Sequence, residues 1–399
     1  MAVFGFSVSN IALTLLALSG MSYLLLCLRH VLAFRETAFA PNSSFLPPLS
    51  ILKPLCGDEP RLYECLRSFC NQDYPDYQLV FGVRDSCDPA VAVVERLKIE
   101  FPNRDITLVC DARIHGANLK TSNVMNIMSA CRHDVLMVSD SDVEIGRECF
   151  RSVVATMAEP KVGAVSCIYK GSPTQGLVSE LGALNINGWI VPSILLDRAL
   201  NGIDACLGPV LLLRRDALDA IGGFAAVANH LAEDHQIGDL LAHAGWDVRL
   251  SSYTVDTMVN EVELGALFRH EVRWAHTVRA VRPADHILSV VTCVLPLLLV
   301  LYLVHPSWWG GGLVAAYLVL RLWLDRAVNS RLILTRRAAA WLVPIRECLC
   351  FAVWFYSTFS RAVLWRGQPF KLLSGGRLVP LEPPVPPLSA AEKQEATRR

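Results

Sequence analysis

The stretch VLMVSDSDVEIG, residues 135–146, decides how this chain folds. Val135, Leu136, Met137 and Val138 read as a buried strand, after which the chain breaks into Ser139, Asp140, Ser141 and Asp142. A short apolar run ending in paired acids predicts the carboxyl edge of a parallel strand in an α/β sheet, where such sheets bind ligands. Two carboxylates at i and i+2 can reach one hard divalent cation, usually shared with phosphate oxygens. Taken alone, an Asp-x-Asp is more often a turn with solvated acids, because short motifs recur by chance. The flanking sequence decides between the two.

Upstream, residues 49–53 read as a strand closed by Pro54, and 62–69 as an amphipathic helix. Residues 78–83 form a second strand that ends in Arg84, Asp85 and Asp88; a helix over 90–101, a strand over 106–109 and a helix over 119–131 follow. Downstream come a helix at 151–157, a strand at 162–168, a strand at 208–213 and a helix closing at Gly222-Gly223. A last helix opens near Glu233 and Asp234, where acids also complement a helix dipole, and runs to 242. The apolar segment 176–200 is either a core helix or an amphipathic piece lying at a membrane surface. Strand–helix alternation of this kind predicts an α/β, mostly parallel, right-handed doubly wound sheet. Asp85/Asp88 and Asp140/Asp142 then fall on one edge of it, which points to a nucleotide–metal site.

The chain has 399 residues and is 53% hydrophobic, with mean hydropathy +0.37. One globular domain plus membrane segments accounts for both the apolar total and the ordinary centre. Basic and acidic residues balance at 37 each, so nothing suggests a nucleic-acid partner. The 13 cysteines include no Cys-x-x-Cys pair, which argues for reduced thiols and a cytoplasmic main domain.

Residues 8–28 are apolar enough to span a bilayer, and Arg29, His30 and Arg35 place the following end on the cytoplasmic side. No basic region precedes the run, which disfavours a cleaved signal peptide. Residues 269–282 form a basic juxtamembrane stretch with His270, Arg273, Trp274, Arg279 and Arg282. A clean span follows at 286–304, a second at 310–324 interrupted by Arg321, a basic loop with Arg336 and Arg337, and a weaker span at 349–364 carrying Arg361. The expected organisation is an anchor (1–35), a linker (36–48), a globular domain (49–283), C-terminal transmembrane or interfacial helices (284–366) and a partly disordered tail (367–399).

The stretches SILKPLCGDEP, QDYPDYQLVFGVRDSCDPA, NLKTSNVMN, SDSDVEI, LRRDALDAIGGF, LAEDHQIG and RHEVRW, in this order, resemble glycosyltransferases of families 2 and 21 with a GT-A fold. The likeness is strongest to the ceramide glucosyltransferase branch and, within it, to the bacterial hopanoid biosynthesis-associated glycosyltransferases. The resemblance implies a membrane-bound, inverting transferase in the bacterial inner membrane, with its catalytic domain in the cytoplasm. Its donor would be a UDP-sugar and its acceptor a lipid alcohol: N-acetylglucosamine to bacteriohopanetetrol, or alternatively glucose to ceramide. It also implies roles by position. Asp85 and Asp88 would hold the uridine end, with Lys120 and Asn123 near the nucleotide. Asp140 and Asp142 would bind Mg²⁺ or Mn²⁺, and Asp234 would be the general base. Arg273 would grip the diphosphate and Trp274 would wall the sugar or acceptor. One position departs: the family's Gln or Arg three residues before Arg273 is His270 here. A processive polysaccharide synthase is disfavoured for want of spans. A non-catalytic membrane scaffold is the reading from another class, and it is disfavoured because the polar constellation lies outside the spans.

Overall fold

The computed structural model describes residues 8–36, 44–202, 206–304, 306–332, 334, 338–360, 362–365 and 368–381. Most of the expected linker, the loop arginines Arg336 and Arg337, Arg361 and the tail from 382 lie outside the described residues.

After helix α1 (Val8–Ala33) the globular part begins with β1 (Leu49–Pro54), α2 (Leu62–Cys70), β2 (Tyr77–Val83), α3 (Ala90–Glu100), β3 (Asp105–Cys110), α4 (Leu119–Met128) and β4 (Val135–Ser139). Every residue of β1, β2 and β4 is buried, as expected of parallel strands covered on both faces. These four strands are parallel in the order β3-β2-β1-β4. Strand order reverses beside β1, so the crevice outside the carboxyl ends of β1 and β4 is the ligand-binding position of such sheets.

The sheet continues with β5 (Val143–Glu144), α5 (Cys149–Thr156), β6 (Val162–Pro173), α6 (Gly176–Asn185), α7 (Val191–Asn201), β7 (Val210–Arg214), α8 (Arg215–Ala220), α9 (Glu233–His243) and β8 (Asp247–Val259). The full eight-stranded order is β3-β2-β1-β4-β7-β6-β8-β5. β7 runs antiparallel between β4 and β6, β8 is parallel to β6, and β5 closes the edge antiparallel to β8. The doubly wound half is thus joined to a mixed half. The antiparallel β4–β7 ladder matters for the site, because it sets Ser139 opposite Val210 and brings the Gly208-Pro209 turn beside Asp140.

Residues 176–201 resolve the choice left by periodicity. α6 and α7 are joined by a π-helical turn, Ile186–Ile190, with Asn187 and Trp189 buried. Asn187 exchanges two hydrogen bonds with Gly171 of β6, at 2.8 and 2.9 Å. Val191, Leu195 and Leu196 share an apolar cluster with Leu24, Leu28 and Val31 of α1. The segment is a core adaptor between the sheet and the apolar helices.

The rest comprises α10 (Leu264–Val281), α11 (Pro283–Leu288), α12 (Leu295–Val304), α13 (Trp308–Arg331), α14 (Leu342–Phe359) and a small antiparallel sheet of β9 (Ala362–Trp365), β10 (Gln368–Leu372) and β11 (Leu378–Pro380). Among the described residues two helices, Thr14–Ala33 and Leu342–Phe359, are long and apolar enough to cross a membrane, or three if the bent pair α11–α12 is one span. The clean span expected over 286–304 is instead broken, with a 56° bend. Pro296 lacks the N–H that would close the preceding turn onto Thr292, so a continuous helix fails there. α13 is not among these candidate spans. Its Arg321 is buried, 3.3 Å from Glu347 of α14 and 3.3 Å above the Trp189 ring, and Nη2 donates to Gly188 O at 2.7 Å. The expected last span, 349–364, is helical to Phe359 and then turns into β9.

Candidate active site

The carboxyl ends of β1, β2 and β4 supply most of the site. Beyond β2, Asp88 accepts Gly57 N–H on both oxygens at 3.0 Å, and Ala90 N–H at 2.9 Å, so it ties the loop after β1 to the start of α3. Asp85 accepts Cys87 N–H at 3.0 Å. Asn123, on α4, donates to Gly82 O at 2.9 Å and Leu55 O at 3.3 Å. Asp85, Asp88, Lys120 and Asn123 line one open pocket of about 260 Å³, together with Arg84, Leu55 and Cys56. Two buried polar atoms on the residues lining it, Arg84 Nε and Asn123 Oδ1, have no partner among the described residues.

α4 begins one residue before Lys120 because Asn118 caps it, accepting Thr121 N–H at 3.0 Å. That cap aims Lys120 across the sheet edge, where Nζ stands 2.6 Å from Asp140 Oδ1 and 2.9 Å from Glu233 Oε1. Burial disfavours the ammonium, but the two carboxylates outweigh it and hold its pKa above the usual lysine value. Lys120 also lines a second, narrow cleft of about 20 Å³ with Gly208, Glu233 and Asp234. The Gly208 backbone fits between two acids: a Cβ there would lie 3.0 Å from Asp234 Oδ2 and 3.9 Å from Asp140 Oδ2. Burial, and then the Glu233 charge, push the Asp234 carboxyl up to about 7, against the pull of Lys120.

Asp142 lies behind Asp140. Burial, then the charges of Asp140 and Glu59, raise its carboxyl to about 8. Two residues not singled out in the sequence, Lys53 and Glu59, frame it. Lys53 is fully buried in β1, donates to Asp140 O at 2.6 Å and Ser139 Oγ at 3.3 Å, and sits 3.7 Å over the Phe69 ring. Burial lowers its pKa to about 8. Ser141 Oγ donates to Glu59 Oε2 at 2.6 Å. A lysine inside an apolar strand was the available signal, since a buried ammonium requires acceptors.

Arg273 and Trp274 come from α10. Trp274 packs against the same apolar cluster as Tyr169, whose phenol is raised by burial and then by the charges of Asp234 and Asp140. His270 takes a definite place: Nδ1 is paired with Glu261, and its ring meets Trp274 edge-on with centroids 4.5 Å apart. Burial pushes the Glu261 carboxyl up, but the bond to His270 and the charges of His270 and Arg273 outweigh it and leave it below the ordinary range. Where the family carries Gln or Arg, this chain has a histidine that braces the tryptophan.

The fold is of GT-A type, and with the family match the chain is a sugar transferase. The fold is similar to that of a mannosyltransferase from Pyrobaculum calidifontis solved in complex with GDP-Man and Mn²⁺ (TM-score 0.57, 17% identity, 88% of this chain and 98% of the other). Residues 12–378 match glycosyl transferase family 21, and the chain belongs to that family. It is 24% identical over 389 residues to Ceramide glucosyltransferase 1 of Caenorhabditis elegans, covering 92% of this chain and 81% of that one. It is 23% identical over 235 residues to Beta-monoglucosyldiacylglycerol synthase of Trichormus variabilis, covering 58% of this chain and 48% of that one.

Proposed function

We propose that this enzyme moves a sugar from a UDP-sugar to the hydroxyl of a membrane lipid by a single inverting displacement. The observation that carries the reading is Lys120, which lines both the pocket of Asp85, Asp88 and Asn123 and the cleft of Asp234. Donor and base then sit on either side of one ammonium. The uridine end occupies the larger pocket, lined by Arg84, Asp85, Asp88 and Asn123. Asp234 takes the proton of the acceptor hydroxyl as its oxygen bonds to the anomeric carbon and the bond to UDP breaks. A carboxyl held near 7 suits a base working near neutral pH. Arg273 matches the diphosphate charge, and Trp274 walls the sugar or acceptor.

Asp140 and Asp142 fit an oxygen-preferring cation. Burial, and after it the neighbouring charges of Asp140 and Glu59, push Asp142 well above the usual carboxylate range, and a cation among these carboxylates would relieve the repulsion between them. Among the described residues no group of three or more His, Cys, Asp or Glu side chains forms a metal site by itself, so phosphate oxygens and water would complete the shell. Mg²⁺ or Mn²⁺ held there would neutralise charge on the departing diphosphate.

The resemblance in the sequence favours N-acetylglucosamine as the sugar and bacteriohopanetetrol as the acceptor, at the cytoplasmic face of a bacterial inner membrane. The likeness to ceramide glucosyltransferases supports a second pair, glucose and ceramide. Mass spectrometry of lipids after supplying UDP-GlcNAc or UDP-glucose with hopanoid and ceramide acceptors separates the pairs. In the same assay Asp140→Ala and Asp234→Asn abolish transfer. Full metal-dependent activity in both variants would refute the site.

A further inference from the structure

We propose that the chain following the last apolar helix is part of the active site: Phe370, Gly376 and Leu378 are positioning residues that clamp the loop delivering Asp234 against α10. The proposal rests on the reading of Asp234 as the base.

α9 starts at Glu233, directly before Asp234, and its cap residue is Ala232, which makes no side-chain cap bond. Alanine leaves the first turn without the acceptor that a Ser, Thr, Asp or Asn would supply. The entry of this helix is therefore set by what holds residues 228–232. On one side, that is the start of α4. Asn118 N–H donates to Ala228 O at 2.9 Å, Asn118 Nδ2 donates to His230 O at 2.8 Å and Glu233 Oε2 at 3.1 Å, and Ala117 N–H donates to Asn229 Oδ1 at 2.9 Å.

On the other side, the same loop is annexed by the C-terminal sheet. Leu231 N–H donates to Gly376 O at 2.9 Å, Leu378 N–H donates to Asn229 O at 2.8 Å, and His230 and Arg377 form a β-bridge. Leu231, Phe370 and Leu378 are 7, 4 and 2% exposed and make one apolar cluster, with Ala117 and Leu372 against it. The sheet reaches α10 as well. Gly376 has φ +80°, and a Cβ there would come 3.1 Å from Val281 Cγ2. Gly376 therefore touches the helix of Arg273 and Trp274 while its carbonyl holds the loop of Asp234. A turn with positive φ at Gly375 and Gly376 makes this close approach possible.

The clamp thus ties the loop before α9 to the far end of α10, two parts that β8 joins only from their other ends, and its residues do not line the nucleotide pocket. The test uses the full-length protein in detergent or nanodiscs, comparing Phe370→Ala, Leu378→Ala and the conservative Phe370→Leu. We expect kcat to fall about tenfold or more in the alanine variants while UDP affinity, read by calorimetry, stays within about twofold, and Phe370→Leu to recover most of the loss. Wild-type kcat in the alanine variants, or a parallel fall of kcat and UDP affinity tracking loss of folded protein, overturns the clamp. Asp234→Asn is run beside them. If it turns over like wild type, the base assignment beneath the clamp fails. If it is inactive while the clamp variants are normal, the clamp alone fails.

Discussion

Lys120, the residue that lines both cavities, forms an ion pair with Asp140, Nζ to Oδ1 at 2.6 Å. The same ammonium balances Glu233 at 2.9 Å. Replacing it with methionine keeps the volume and leaves three acids, Asp140, Glu233 and Asp234, facing one another. Lys120→Met is expected to lower kcat/KM by about a hundredfold, roughly 2.7 kcal/mol of transition-state stabilisation. Steady-state kinetics decide; a loss below about threefold would remove Lys120 from the chemistry.

A general base at Asp234 works in its ionised form, and burial followed by the Glu233 charge pushes this carboxyl up to about 7. Activity should therefore rise with pH through about 7 and level off above it. Glu233→Gln removes the like charge, which makes ionisation of Asp234 easier and moves the rising limb to lower pH. A pH profile of kcat/KM in both proteins checks the sign. A limb that stays fixed or moves upward contradicts the assignment.

Gly208 faces Asp234 Oδ2 at 3.0 Å from where a Cβ would stand. The atom it meets is the tip of a side chain rather than backbone, so an added methyl displaces the carboxylate before it disturbs the sheet. Gly208→Ala should cut turnover by about tenfold with little change in melting temperature. A large fall in melting temperature with normal specific activity of the folded fraction would be the opposite result.

Glu271 on α10 and Arg346 on α14 are 4 and 1% exposed and paired bidentately at 2.7 and 2.6 Å. Breaking a buried pair from one side leaves an unmatched charge, at a cost of about 3–5 kcal/mol, whereas replacing both partners by apolar residues is often neutral. Arg346→Met should melt well below wild type, and Glu271→Leu combined with Arg346→Met should recover most of the loss in a thermal melt. Equal melting of the single and double variants would show the pair to be uncoupled.

The parallel half of the sheet was legible because β1, β2 and β4 are uninterrupted apolar runs bounded by turn residues, the signature of strands buried on both faces. Acids at strand ends marked Asp85, Asp88 and Asp140 for the same reason. β8 went unread. Its run DVRLSSYTVDTMV carries charges that break the apolar alternation, and the one in its middle, Asp256, is matched only across the sheet, by Lys170 at 3.4 Å and by Ser172 at 2.5 Å. Glu59, Asn118 and Gly208 owe their places to tertiary contacts, which no local pattern announces. The return of residues 368–380 to the loop at 229–231 is likewise invisible, because a few short strands after an apolar helix read as tail.

α10 and α14 are fastened together at more than the Glu271–Arg346 pair. Arg279 donates to Thr358 O at 2.8 Å, His276 bonds Ser360 Oγ at 2.8 Å, and Phe268 meets the Tyr356 ring edge-on with centroids 5.6 Å apart. The helix carrying Arg273 and Trp274 is therefore geared to a helix long and apolar enough to cross the bilayer. Sliding or tilting α14 drags the tryptophan with it. Where α14 spans a bilayer, the thickness of the surrounding lipid would bear on where that tryptophan stands.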